Sequence, residues 1–172
     1  PLSEDLQRIL RPYQREGYEF LMDRVLSGVG AILAGDMGLG KTLEMVAAID
    51  SLARENTCSR TLVVCPASVM GVWMEQAAQF CPALRFACYR GSADRRRETL
   101  GDPNWQVLVA NYTLVRMDIE TLLEHAFDMI VLDEAQYIKN PDAQITQAVK
   151  AIKAKRTLAL TGTPLENRLL DL

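Results

Sequence analysis

The stretch GDMGLGKT, Gly35 to Thr42, follows the apolar run AILA, Ala31 to Ala34, and precedes LEMVAAI. A short apolar run before it and a helical pattern after it make it a strand-to-helix turn with G-x-x-x-x-G-K-T spacing. Small residues let successive backbone N–H groups curl around a phosphate, which larger residues would obstruct. In that reading Asp36, Met37, Gly38, Leu39 and Gly40 form the cradle and Lys41 reaches the outer phosphates of ATP. Thr42 offers its hydroxyl to Mg2+. The helix that follows points its positive end at the anion. The alternative is a glycine-bearing turn that binds nothing, and the rest of the chain decides between them.

Working outward, short apolar runs rich in β-branched residues alternate with longer helical patterns. The spacing predicts strands at Ala31–Ala34, Thr61–Cys65, Arg85–Tyr89, Gln106–Ala110, Met129–Asp133 and Thr157–Thr161. Helices are predicted over Arg15–Ser27, Lys41–Glu55, Ser68–Phe80, Asp94–Leu100, Ile119–His125 and Gln144–Lys153. GDPNW and KNPDA read as loops. Most of the strands are apolar on both faces, which suits a buried parallel sheet. The fold class expected is therefore α/β, a mostly parallel, doubly wound sheet flanked by helices. Ligands of such sheets bind beyond the carboxyl ends of the strands. GDMGLGKT, CPAS, DEAQ and TGTP all fall at such ends, so they are expected to share one rim.

MIVLDEAQ, Met129 to Gln136, supplies what a phosphate loop lacks. A strand that ends in Asp133 and Glu134 can place one carboxylate on Mg2+, usually through water, because that ion dehydrates reluctantly. The other carboxylate can orient the water that attacks the γ phosphate. LTGTP, Leu160 to Pro164, ends the last strand with Thr161, Gly162 and Thr163, a turn able to bond to the Glu134–Gln136 segment. In LRPYQ, Gln14 can pair with an adenine edge, although an exposed glutamine at a helix start is the plainer reading.

Composition narrows the options further. The balance of 49% hydrophobic and 24% charged residues is that of a globular chain. No apolar run is long enough to cross a bilayer, so no membrane partner is expected. The net charge of −3 argues against a surface that is basic all over, leaving the local clusters RGSADRRR and KAIKAKR. The four cysteines form no CxxC pair, and His125 is the lone histidine. A zinc centre, a disulfide framework and a serine-type triad are therefore not expected. The cysteines read as buried small apolar residues of an intracellular protein, bacterial cytoplasmic or eukaryotic nuclear. The chain opens on Pro1 and stops inside LENRLLDL, so it reads as a fragment of a longer protein.

Taken in order, LRPYQREG, GDMGLGKT, VVCPASV, DEAQYIKNP and LTGTPLEN resemble the first RecA-like lobe of Swi/Snf-type ATPases in helicase superfamily two. The resemblance runs from about Leu10 to Leu172 and makes residues 1–172 a single N-terminal ATP-binding lobe. It implies an ATP hydrolase that moves along double-stranded DNA and remodels protein–DNA complexes, with Glu134, Lys41 and Asp133 as its catalytic residues. By that likeness Gln14 reads adenine. Gln136 and Thr161 to Pro164 couple nucleotide state to DNA grip. Pro66, Ala67 and Ser68, with Asn111 and Thr113, touch the DNA backbone, a contact without base readout. The chain departs from the family pattern at Gly35, Asp36, Val72, Gln76 and Ala110–Asn111. The resemblance also implies a second RecA-like lobe carrying an arginine finger, without which this lobe binds nucleotide weakly and turns it over slowly or not at all. The alternatives are a lobe of a strand-separating DNA or RNA helicase, and a nucleotide-binding scaffold that does not hydrolyse.

Overall fold

The computed structural model describes residues 1–28, 30–34, 40–138 and 143–162. Six strands run all parallel: β1 (Ala31–Ala34), β2 (Thr61–Cys65), β3 (Phe86–Cys88), β4 (Val107–Asn111), β5 (Phe127–Leu132) and β6 (Ala154–Thr161). Their order across the sheet is β1-β6-β5-β2-β4-β3. Each strand offers alternate residues to opposite faces, and both faces are covered. Val63, Cys65, Val109, Val131 and Leu160 point into one apolar layer, which they share with α1 (Glu4–Ile9), α2 (Pro12–Leu26), α3 (Lys41–Arg54) and α4 (Met70–Phe80). Leu62, Val64, Ala110, Ile130 and Leu132 point into the other. That layer is filled by α5 (Ala93–Gly101), α6 (Tyr112–Met117), α7 (Ile119–Leu122) and α8 (Gln144–Ala151). Each large aliphatic side chain buried there stabilises the fold by about 1.5–3 kcal/mol relative to exposure. This is the doubly wound arrangement that the alternation predicted.

The differences are local. The second helix starts at Pro12 rather than Arg15, because Pro at the first position has no N–H to leave unpaired. Gln14 Oε1 accepts the Arg11 amide at 2.9 Å and closes the helix start. Two helices were not expected, α1 and α6. The latter begins where Asn111 caps it, its Oδ1 accepting from the Leu114 amide at 2.8 Å. The helix predicted over Ile119–His125 covers only Ile119–Leu122. Strand β6 starts earlier than Thr157, at Ala154, and β5 ends at Leu132 with Asp133 in the following turn. Most of KNPDA lies outside the described residues.

The strand order explains where ligands can sit. From β1 the chain crosses to β2 and builds outward to β3. It then returns to insert β5 and β6 between β2 and β1. The connection after β2 leaves toward β3 and the one after β5 toward β6, so the direction reverses between these two neighbours, the place where such sheets bind ligands beyond the carboxyl ends.

Candidate nucleotide site on the carboxyl rim

Gly40 immediately precedes α3 with φ of 82°, the left-handed region that glycine tolerates without strain. A Cβ at Gly40 would collide with the Gln14 side-chain amide. Gln14 is thus not an exposed helix-start residue; it is only 8% exposed and lies against the loop exit. Lys41 and Thr42 open α3, and Asp36, Met37, Gly38, Leu39 and Thr163 lie outside the described residues.

From Lys41 a line of hydrogen bonds crosses the rim. Lys41 Nζ donates to the main-chain oxygen of Thr161 at 3.0 Å, at the end of β6. The Thr161 hydroxyl donates to Gln136 Oε1 at 3.0 Å, and Gln136 Nε2 donates to Glu134 Oε2. The contact expected between the TGTP turn and the Glu134–Gln136 segment is present. Glu134 has φ of 52°, a backbone state that costs a non-glycine residue roughly 1 kcal/mol or more and collects at working sites. Gly162 follows Thr161 in a bend, half-buried.

Asp133 is 92% buried and held on both oxygens. Trp73 Nε1 donates to Oδ2 at 2.8 Å, and the Glu134 amide donates to Oδ1 at 2.9 Å. Burial pushes the carboxyl above its ordinary range. The Trp73 and Glu134 bonds and the Lys41 charge pull it down, while the Glu134 charge adds to the rise. A carboxylate in that state favours a nearby cation. By donor chemistry the hard oxygens of the Asp133 carboxylate and the Thr42 hydroxyl would suit Mg2+. No group of three or more His, Cys, Asp or Glu forms a closed cage among the described residues. Such an ion would complete its shell with phosphate oxygens and water.

Pro66 caps a single 3-10 turn, Ala67–Val69, beyond β2, in which Ala67 and Ser68 are exposed. Asn111 ends β4 and turns the chain into α6, whose second residue is the exposed Thr113, and Cys65 pairs with Asn111 across the two strands. These two turns are neighbours on the same rim. Among the cysteines, Cys58, Cys65 and Cys81 are buried, Cys88 is half-buried, and all four are free thiols.

The chain matches the SNF2-related domain family over residues 13–172. It belongs to that family. It is 37% identical over 99% of its length to an uncharacterized ATP-dependent helicase of Mycoplasma genitalium, of which it spans 17%. With the helicase swr1 of Emericella nidulans it shares 36% identity over its whole length and 10% of the relative. Among solved structures, the Sulfolobus solfataricus SWI2/SNF2 ATPase core in complex with dsDNA matches with a TM-score of 0.84 and 40% identity. That match covers 95% of this chain and 34% of the other. The fold is the RecA-like one of that core. Among the described residues no helix is long and apolar enough to cross a membrane.

Three residues of this SNF2-related lobe escaped the sequence reading. Trp73 and Tyr112 bind Asp133 from segments distant in sequence, and Tyr112 OH donates to the Asp133 main-chain oxygen at 2.7 Å. A buried tryptophan must place its N–H somewhere, but nothing local to Trp73 named the partner. The third is Glu44, which is 4% exposed and lies against Gly17 of α2. A Cβ at Gly17 would meet its carboxylate.

Proposed function

We propose that this chain is the ATP-binding lobe of a DNA-dependent ATPase that translocates on double-stranded DNA and remodels protein–DNA complexes. The observation that carries the reading is the hydrogen-bonded line from Lys41 through Thr161 and Gln136 to Glu134, beside the buried Asp133. Those groups come from α3, β6 and the turn after β5, remote in sequence and adjacent on one rim. The family membership and the Sulfolobus core, solved with dsDNA, support the same reading.

In this reading Gln14 holds the adenine edge, and residues 36–40 cradle the phosphates. Lys41 exchanges its bond to the Thr161 carbonyl for the β and γ phosphates. Thr42 and Asp133 would hold Mg2+, which would supply charge neutralisation to the phosphates. Glu134 accepts the proton of the attacking water, and its bond to Gln136 sets the direction of that carboxylate. Gln136 and Thr161 then report the nucleotide state along the rim to the turns at Pro66–Ser68 and Asn111–Thr113, which touch the duplex backbone. Local donors at those turns suit a lobe whose net charge is −3. A second RecA-like lobe of the parent protein supplies an arginine finger, a contribution of about 10³ to 10⁵ in related phosphoryl transfer. The single lobe therefore binds nucleotide weakly and hydrolyses it slowly or not at all. Its working compartment is one that contains DNA.

The test is a titration of Mg2+–ATP against the chain and its Lys41→Ala variant. Loss of a charged phosphate contact should weaken binding by about 10- to 100-fold. Equal affinity in both would overturn the assignment and favour a scaffold.

A further inference from the structure

Asp133 is clamped by two buried rings that phosphoryl transfer does not itself require. Trp73, fully buried on α4, donates to Oδ2, and Tyr112, the first residue of α6, donates to the main-chain oxygen of the same residue. The Asp133 amide donates to the Val64 carbonyl at 2.8 Å, which ties the turn to the end of β2. Each ring is rooted beside one of the two exposed rim turns. Helix α4 grows directly out of the Ala67–Val69 turn, and Tyr112 follows the capping residue Asn111. The turns are also joined to each other, since Asn111 Nδ2 lies 3.9 Å from the sulfur of Met70, the first residue of α4.

We propose that Trp73 and Tyr112 are positioning residues for the metal-binding carboxylate, one from each duplex-facing turn, so that the metal site and the duplex site share one rigid frame. The proposal rests on the functional reading above. Trp73 occupies one lone pair of Oδ2 and fixes which way the carboxylate faces, leaving further lone pairs for a cation. Tyr112 fixes the main chain beneath it. Partners of this kind orient a ligand without touching the metal, and their loss typically costs 10- to 100-fold in metal affinity or activity. A displacement of either turn by a bound duplex reaches Asp133 through a single buried side chain.

The test uses the full-length parent and the variants Trp73→Phe and Tyr112→Phe, which keep an aromatic ring and remove the donor. The measurement is the Mg2+ concentration that half-saturates the metal-dependent part of nucleotide binding, with and without duplex DNA. Both variants should need about 10- to 100-fold more Mg2+, with metal-free nucleotide affinity unchanged within about twofold. Duplex should tighten the metal requirement of the wild type and not that of the variants. A wild-type Mg2+ requirement in Tyr112→Phe, the near-isosteric change, overturns the proposal even where Trp73→Phe fails to fold. A variant that keeps the full duplex effect overturns the link between the two sites. If Lys41→Ala also leaves nucleotide affinity untouched, the failure lies in the functional reading; if it weakens affinity, the failure lies in the positioning argument alone.

Discussion

Strand β5 has an aspartate at each end, and the two are treated in opposite ways. Asp128, near its start, accepts three hydrogen bonds on one oxygen: the Ser59 hydroxyl at 2.7 Å and the amides of Ser59 and Arg60 at 2.8 and 2.9 Å. Its partial burial works to raise the pKa, but those bonds and the Lys155 charge outweigh it and hold the carboxyl below the ordinary range. Asp133, just beyond the other end, is buried more deeply, and its two bonds do not offset that burial, so its carboxyl is raised. The bonds of one aspartate outweigh its burial; those of the other do not. The difference separates a residue that fastens the sheet from the one assigned to the metal in the proposed function, although both are strand-end carboxylates in the sequence.

The sharpest way to break this contrast is at the rim itself. Glu134→Gln in the parent protein removes the proposed proton acceptor while keeping the shape, and turnover should fall by about 10²- to 10⁴-fold. Nucleotide affinity should stay within about twofold. Loss of binding in place of turnover would mean that Glu134 does not orient water. The same assay on Asp128→Ala, corrected for folded fraction, should give wild-type turnover.

Asp128→Ala should show its effect in stability instead. Charge-assisted bonds of this kind contribute roughly 1.5–3 kcal/mol when buried, and solvent at this half-exposed site reduces the expected loss to about 1–2 kcal/mol at pH 7. The sign with pH follows from the lowered carboxyl. Its stabilisation is complete above the unfolded value of about 3.9 and is lost as pH falls through the lower folded value. The gap between wild type and variant should therefore close in acid unfolding experiments. A gap that persists below pH 2 would assign the effect to packing.

These expectations also mark what the residues could and could not announce. AILA and TLVVC read as strands to the residue, because a short apolar run bounded by turn residues leaves little choice. Helix α6 was hidden, since NYTLV is as apolar and β-branched as the strand it follows, and only the Asn111 cap turns the chain. The parallel sheet was legible from alternation, but not the insertion of β5 and β6 between β1 and β2, which depends on packing between distant segments. At the site, the types Lys41, Asp133 and Glu134 stood out by their motifs. The Trp73–Asp133 bond did not, because no spacing rule links an indole on one helix to a carboxylate beyond a separate strand. For Gln14 the residues alone leave an adenine contact and an exposed helix start both open, and the missing Cβ of Gly40 is what lets its buried side chain lie against the loop exit.

A third carboxylate extends the comparison at the smallest expected size. Glu44 resembles Asp133 in being buried on the rim side, within reach of the Lys41 charge. Burial pushes it from 4.5 up to about 7, with Lys41 pulling it down. A raised carboxyl stabilises the fold fully below the unfolded value, and that contribution is lost as pH rises through about 7. The ionised side chain is thus a cost the fold carries at pH 8 and not at pH 4, partly offset by Lys41. Glu44→Gln keeps the shape against Gly17 and abolishes the titration. Its stability relative to wild type should rise between pH 5 and pH 8 by about 1 kcal/mol, under the full linkage value because relaxation of the surroundings reduces the penalty of a buried charge. Urea unfolding at both pH values reads the difference directly. A flat difference would place Glu44 with Asp128, among the carboxylates whose charge the protein has already satisfied.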